Sequence, residues 1–260
     1  MKKLGLFGYP VGHSFSKIFF GEKFDREQLQ DWEYELYPIE KIEKLKSFLK
    51  DEPEMVGFNV TVPYKVAVVN YLDEIDPLAL TIGSVNTVSI IETQIGKKLK
   101  GYNTDAYGFE KSFKPLLNTS INKALILGTG GSSRAVKYVL RDLNIPYTSV
   151  SRNKHDNRIQ YDEVTEATLQ EHNIIINTTP VGMFPNVDEA PLIPYQFINK
   201  DHLLFDLIYN PEETLFLKKG REAGARTKNG LEMLLLQSDK CWEIWNPTVG
   251  VRGQESGVSV

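Results

Sequence analysis

Along the chain, short apolar runs at Leu4 to Phe7, Tyr34 to Pro38 and Val56 to Val62 alternate with stretches of helical period such as IEKIEKLKSFLK. Runs of that length predict strands, and strands separated by helices predict βαβ units. A second series begins at Ala124, where ALILG leads through GTGGSSR into the helical AVKYVLRDL and then the strand-like YTSVS. Further apolar runs from Asn173 to Thr178 and from Leu203 to Ile208 close on turns bearing Pro or Asn, so the second half is predicted to be a doubly wound parallel sheet. The fold class read from this pattern is α/β. The polar LLNTSINK between Leu116 and Lys123 reads as a linker and puts a domain boundary near residues 104 to 122. A last helix starts near Gly230, and periodicity alone does not say which half it joins.

A chain of 260 residues holds one large domain or two modest ones, at about 100 to 200 residues each. With 41% hydrophobic and 25% charged residues, its composition is that of a folded chain. The net charge of -4 comes from 30 basic and 34 acidic residues without a long basic run, so no nucleic-acid partner is expected. No apolar run approaches the ~18 residues of a membrane span, and Leu4 to Phe7 is too short for a signal-peptide core. A cytoplasmic protein with no membrane partner is the expectation, and the sequence leaves monomer or homodimer open. Cys241 is the sole cysteine, which excludes intramolecular disulfides and multi-cysteine zinc sites, and it reads as a small buried apolar residue. His13, His155, His172 and His202 are scattered without metal-ligand spacing, so no metal is expected.

In GTGGSSRA, Gly128, Gly130 and Gly131 follow a strand and open a helix, where backbone amides are able to approach a pyrophosphate. A tight turn between strand and helix also needs glycine for purely steric reasons. The deciding position lies at the end of the next strand, where NAD enzymes carry an acid against the ribose 2′-hydroxyl. Here it is Ser151, followed by Arg152, with Lys154 and Arg158 nearby. A guanidinium at that place suits a 2′-phosphate, which favours NADP over NAD. Taken without the glycine turn, SRNKHDNR reads equally as a solvated basic loop.

Three polar strings interrupt the apolar pattern of the first half: GHSFSK, GFNVTVPYK and GYNTDAYG. Asn59, Thr61 and Lys65 place polar groups where a core would take apolar ones, and such local violations concentrate at functional sites. The plainer alternative is that Asn59 and Thr61 satisfy turns and that Lys65 is an exposed lysine in a first helical turn.

HSFS at the N-terminus, NVTVPYK, SVNT from Ser84 to Thr87, GYNTD, GTGGSSR, NTTPVGM from Asn177, DLIYNP from Asp206 and NGLEMLLLQ from Asn229 occur in the order found in shikimate dehydrogenases. The chain resembles that NADP-dependent family over nearly its whole length. The resemblance implies an α/β substrate-binding catalytic domain over 1–106, completed by 236–260. It further implies an NADP-binding Rossmann domain over 107–235 and a cleft between the two. The implied activity is the reversible NADPH-dependent reduction of 3-dehydroshikimate to shikimate, a step of chorismate and aromatic amino-acid biosynthesis.

By motif, Lys65 and Asp105 look like the catalytic pair. Ser14, Ser16, Asn59, Thr61, Asn86, Tyr209 and Gln237 look like substrate ligands. Gly128, Thr129, Gly130, Gly131, Ser132, Ser151, Arg152, Asn153, Leu207 and Gly230 look like cofactor contacts. The chemistry is coherent, because reducing a ketone by hydride leaves alkoxide character on oxygen that a positioned donor must stabilise and protonate. The charge of Asp105 favours the ammonium form of Lys65 while desolvation favours the amine, so the two are assigned as a pair. Ser14 and Ser16, with the Tyr209 hydroxyl as a third donor, would meet the substrate carboxylate, or else cap the helix of SFSKIFF. Three positions depart from the family pattern. Lys17 stands in place of proline, Ala106 in place of glycine, and SRN in place of the usual Asn-Arg-Thr string, of which only Arg152 matches. Two alternatives share the fold: a quinate/shikimate dehydrogenase using NAD, against which Arg152 and Ser14 argue, and a non-catalytic shikimate-pathway sensor, which would not need both Lys65 and Asp105.

Overall fold

A computed structural model describes residues 1–247 except His13, Ile95, 119–122 and 155–156. His13 of the HSFS string, His155 of the basic loop, the middle of LLNTSINK and 248–260 thus lie outside the described residues. The chain divides into two compact units, Met1–Tyr107 with Gln237–Val260, and Gly108–Leu236.

In the first unit, strands Lys2–Gly8 (β1), Trp32–Pro38 (β2), Gly57–Val60 (β3), Glu74–Ile75 (β4), Thr87–Thr93 (β5) and Gly96–Tyr102 (β6) form one sheet in the order β2-β1-β3-β5-β6-β4. Its helices are Ser16–Arg26 (α1), Leu45–Asp51 (α2), Pro77–Ile82 (α3) and Asp105–Phe113 (α4), the last running on past the boundary of the unit. β1 lies between β2 and β3 and is parallel to both, as the apolar runs predict. The pattern of βαβ units ends there, because β5 is antiparallel to β3 and forms a hairpin with β6. Leu99 is the only buried hydrophobic residue of GKKLKGY, so apolar periodicity gives little sign of β6. IEKIEKLKSFLK also divides, into a single tight turn at Ile42–Lys44 and then α2.

Successive residues of β1 feed opposite faces of the sheet, as a strand requires. Leu4 and Leu6 pack with Phe20, Phe24, Tyr34 and Trp242, whereas Phe7 packs with Leu45, Phe58 and Val88. Both faces are covered, which explains why β1 reads as a continuous apolar run.

In the second unit, Ala124–Leu127 (β7), Tyr147–Ser151 (β8), Ile159–Gln160 (β9), Ile174–Asn177 (β10), Leu203–Asp206 (β11) and Arg226–Lys228 (β12) are all parallel, in the order β12-β11-β10-β7-β8-β9. The central strands ALIL, III and LLF are buried throughout, as expected where helices cover both faces. Gly131–Asp142 (α5) buries Ala135, Val136, Val139 and Leu140 on one stripe. Glu166–Glu171 (α6) and Leu215–Glu222 (α7) follow. Strand order reverses between β7 and β10, which makes that pair the topological switch point where such sheets take ligands.

The last helix, Leu231–Trp245 (α8), begins in the second unit and ends in the first. There Cys241, Trp242 and Trp245 join the cluster of Leu4 and Phe20, and Trp245 Nε1 donates to the Val88 carbonyl at 2.9 Å. Among the described residues no helix is long and apolar enough to cross a membrane, and no three or more His, Cys, Asp or Glu gather as metal ligands. His172 and His202 are tied into the second unit through Thr148 Oγ1 at 2.8 Å and the Leu169 carbonyl at 3.1 Å.

Candidate functional site

Sheet direction alone brings the polar strings of the first unit together. β1 and β3 are parallel and pair Leu6 with Asn59, so the loop carrying Ser14 and Ser16 and the turn carrying Thr61 and Lys65 leave the sheet at one end. β5 runs the other way and starts at that end, opposite Asn59, directly after Asn86. β6 returns to it, pairing Tyr102 with Thr87, and delivers Asn103, Thr104 and Asp105. Four strings from four strands therefore meet.

Lys65 Nζ lies 2.6 Å from Asp105 Oδ2, with side-chain exposures of 13% and 6%. Lys65 sits in a turn ahead of a short helical segment at Ala67–Tyr71, and this burial rules out its reading as an exposed helical lysine. Its carbonyl accepts from the Val85 amide at 2.8 Å, which fastens the turn to the strand that carries Asn86. Asn86 Nδ2 donates to Asp105 Oδ1 at 3.0 Å, while Thr104 Oγ1 and Gln237 Oε1 lie 2.8 and 3.0 Å from the same nitrogen. Asn86 Oδ1 accepts from the Thr104 amide at 2.7 Å. One amide thus fixes the carboxylate that faces the lysine. A buried ion pair held this way keeps a cationic donor in place, and removal of either partner leaves an uncompensated charge.

Asn59 is buried beneath this group, its Oδ1 accepting from the Tyr34 hydroxyl at 2.8 Å. Its Nδ2 is 3.1 Å from the Asn86 carbonyl, 3.2 Å from Thr87 Oγ1 and 3.1 Å from Cys241 Sγ. Cys241 is correspondingly not a plain apolar core residue. Its sulfur also lies 3.0 and 3.2 Å from the hydroxyls of Thr87 and Thr104. Burial pushes the thiol up, against hydrogen bonds from Thr104, Thr87 and Asn59, which keeps it protonated near neutral pH. Burial likewise holds the Tyr34 phenol well above its usual range, opposed by a hydrogen bond with Ser16. Ser14 Oγ accepts from the Ser16 amide at 3.3 Å and its hydroxyl donates to Ser16 Oγ at 3.2 Å. Ser14 thereby satisfies an amide in the first turn of α1, as a capping serine does, while Phe15, the residue directly before the helix, has no side-chain bond to it. Thr61 and Gln237 are half-buried. The sequence reading missed Tyr34, Thr87, Thr104 and Cys241. Thr87 and Thr104 end the SVNT and GYNT strings and were open to view, whereas Tyr34 and Cys241 carried no local signal.

In the second unit the candidate cofactor residues gather at the carboxyl ends of parallel strands. Gly128 directly follows β7 at φ +106, where an added Cβ would lie 2.7 Å from Thr178 Oγ1, so this turn needs glycine. Thr129 follows, and Gly130 is the N-cap of α5 without a side-chain bond to it. A Cβ on Gly130 would meet nothing within 4 Å, so the space beside this residue at the start of α5 is open. Helix direction, glycine and open space fit a pyrophosphate. Ser151 ends β8 buried, its Oγ accepting from the Asn153 amide at 3.2 Å, and Arg152 and Asn153 are exposed. Leu207 and Gly230 are in contact, since a Cβ on Gly230 would fall 2.2 Å from the Leu207 carbonyl oxygen. Tyr209 is half-buried in the loop after β11.

Asp206 ends β11 fully buried. Its carboxylate accepts from Thr214 Oγ1 at 2.6 Å and from Asn177 Nδ2 and the Ile208 amide at 3.0 Å each. Burial outweighs these donors and pushes the carboxyl from 3.8 up to about 7, and the same charge contributes to raising the Tyr195 phenol. The folded chain then holds a proton that the unfolded chain has released. That contribution to stability is complete below about 3.8 and is lost as pH rises through about 7. Asp206→Asn, with Thr214 able to donate or accept, removes this slope. Melting temperatures of parent and variant are expected to differ more in the parent's favour at pH 5 than at pH 8, and a constant difference would contradict the assignment.

The model of the shikimate dehydrogenase substrate binding domain matches residues 6–88. The shikimate dehydrogenase (NADP(+)) of Methanococcus maripaludis strain S2 is 40% identical over 263 residues, covering 94% of this chain and 91% of that protein. Among solved structures, the shikimate dehydrogenase of Aquifex aeolicus superposes with a TM-score of 0.82 at 34% identity, covering 95% of this chain and 93% of that one. The shikimate 5-dehydrogenase of Thermus thermophilus, in complex with NADP(H) and shikimate, gives 0.82 at 29% identity, covering 95% and 94%. Similarity on this scale, extending over almost the full length of both chains, leaves one reading of the ancestry: the chain belongs to the shikimate dehydrogenase family.

Proposed function

We propose that this protein catalyses the reversible, NADP-dependent interconversion of shikimate and 3-dehydroshikimate. The observation that carries the reading is the buried 2.6 Å contact of Lys65 with Asp105, held in turn by Asn86. Gly128 to Ser132 would hold the pyrophosphate of NADP and Arg152 its 2′-phosphate, with Leu207 and Gly230 as packing and backbone contacts. When bound, that cofactor supplies or accepts the hydride.

In the direction of reduction, Lys65 stabilises the negative charge that grows on the carbonyl oxygen and gives it a proton. In oxidation, Lys65 removes the hydroxyl proton. Asp105 holds the ammonium and accepts from a neighbouring ring hydroxyl. Asn86, Gln237, Thr61 and Asn59 complete the contacts to the ring hydroxyls, and Ser14, Ser16 and Tyr209 take the carboxylate. The unit Met1–Tyr107 with Gln237–Val260 would then be the substrate domain and Gly108–Leu236 the cofactor domain.

The test follows NADPH and NADH formation with shikimate and quinate as paired substrates. Quinate carries an extra hydroxyl on a tetrahedral carbon at the carboxylate end. Burying that group without a partner among Ser14, Ser16 and Tyr209 costs ~1 to 3 kcal/mol, so kcat/KM is expected to favour shikimate at least about tenfold. Comparable turnover of quinate with NADH formation would instead identify a quinate/shikimate dehydrogenase using NAD. Absence of turnover together with measurable shikimate binding would identify a sensor.

A further inference from the structure

Asn59 commits almost all of its hydrogen-bonding capacity inside the protein. Nδ2 donates to the Asn86 carbonyl at 3.1 Å, and a carbonyl oxygen only accepts. Turning the amide over would set oxygen against oxygen, so the sense of the group is fixed. Nδ2 also faces Cys241 Sγ at 3.1 Å and Thr87 Oγ1 at 3.2 Å, which share its second hydrogen, and Oδ1 accepts from the Tyr34 hydroxyl at 2.8 Å. Both amide hydrogens are used. Among the described residues, Oδ1 accepts no second bond, so one lone pair remains.

We propose that Tyr34 and Cys241 are positioning residues for substrate, clamping the Asn59 amide from its two ends so that the remaining Oδ1 lone pair is offered to a ring hydroxyl of shikimate. The inference rests on the site reading given above, in which Lys65 is a donor and Asp105 an acceptor, and it adds Asn59 as a second acceptor of defined direction. Tyr34 is suited to the task because its ring is stacked on Phe20, with centroids 4.5 Å apart and planes 14° apart, so its hydroxyl sits in a fixed place. Cys241 reaches Asn59 from a helix 182 residues further along the chain. Its sulfur faces Asn59 Nδ2 and the hydroxyls of Thr87 and Thr104, with either group of each hydroxyl–thiol pair able to donate, and it lies 3.8 Å from Gln237 Oε1. The thiol thereby also ties Asn59 to Thr104 and Gln237, which hold Asn86.

The experiment compares Tyr34→Phe and Cys241→Ala, each with and without Asn59→Ala, in steady-state kinetics with shikimate and NADP+, with thermal melts alongside. Each single variant is expected to raise KM for shikimate about five- to tenfold, the worth of one hydrogen bond, with kcat and KM for NADP+ moved less than about twofold. In the Asn59→Ala background neither change should add to KM. Cys241→Ser keeps an acceptor and should recover most of the loss. Variants that melt lower with an unmoved KM for shikimate, or that raise it equally once Asn59 is gone, overturn the clamp. An active parent with such variants overturns this inference alone, whereas a parent inert toward shikimate overturns the reading of the site with it.

Discussion

Replacing Lys65 by alanine is expected to lower kcat about 100- to 10,000-fold, the range typical of a general acid-base group, while shikimate still binds measurably. The expectation follows from where the ammonium sits. It is largely buried and 2.6 Å from Asp105 Oδ2, and that carboxylate is itself fixed by Asn86, so the donor is held ready before charge develops on the substrate oxygen. Its main contribution thus falls in the transition state, and the loss should appear in kcat more than in KM. Steady-state rates paired with a direct binding titration check this. A variant that retains more than about a tenth of parental kcat would remove Lys65 from the chemistry. Loss of shikimate binding together with turnover would make it a ligand first. Leaving Asp105 without its cation in a buried position also destabilises the fold, so a melt of the same variant separates damage to the fold from damage to the chemistry.

The second large effect concerns the choice of cofactor. NADP is expected to be used far better than NAD, and Arg152→Ala should lower kcat/KM for NADP about 10- to 150-fold, the value of a charge-assisted contact to phosphate of ~1.5 to 3 kcal/mol. Ser151 at the end of β8 offers no carboxylate to a ribose, and its hydroxyl is turned to the Asn153 amide. The Arg152 side chain is exposed, its carbonyl accepts from Gln160 Nε2 at 3.2 Å, and burial raises the Tyr161 phenol against the opposing charge of Arg152. Measuring both cofactors in parent and variant decides the matter. Equal efficiency with NAD in the parent would remove the role of Arg152.

Much of this architecture could be read from local pattern. ALIL, GTGG and the apolar stripe of AVKYVLRDL form a strand, a turn and a helix from neighbouring residues, each step dictated within a few positions. Lys65 and Asp105 were assigned as a pair by their motifs, whereas local pattern alone does not bring them together, because two strand reversals separate them. The hairpin of β5 and β6 stayed hidden because a solvated strand rich in lysine carries little apolar periodicity. Short strands such as β4, β9 and β12, of two, two and three residues, exist only through pairing with a neighbour. The thiol of Cys241 illustrates the same limit. Its partners lie 154 and 182 residues away at Thr87 and Asn59, so a cysteine that composition assigns to the core turns out to sit among polar groups.

All three tryptophans of the chain, Trp32, Trp242 and Trp245, fall in the unit of Met1–Tyr107 with Gln237–Val260. Trp32 and Trp242 meet edge to face at 4.8 Å, and the Trp245 indole is bonded to Val88. Fluorescence excited in indole therefore originates from one unit only, whereas Gly108–Leu236 carries no indole of its own. A chain of two compact units need not unfold in a single step. Indole emission followed beside far-ultraviolet circular dichroism, which sees the helices of both, gives this protein a native spectroscopic means of resolving the unfolding of its halves, with no label introduced.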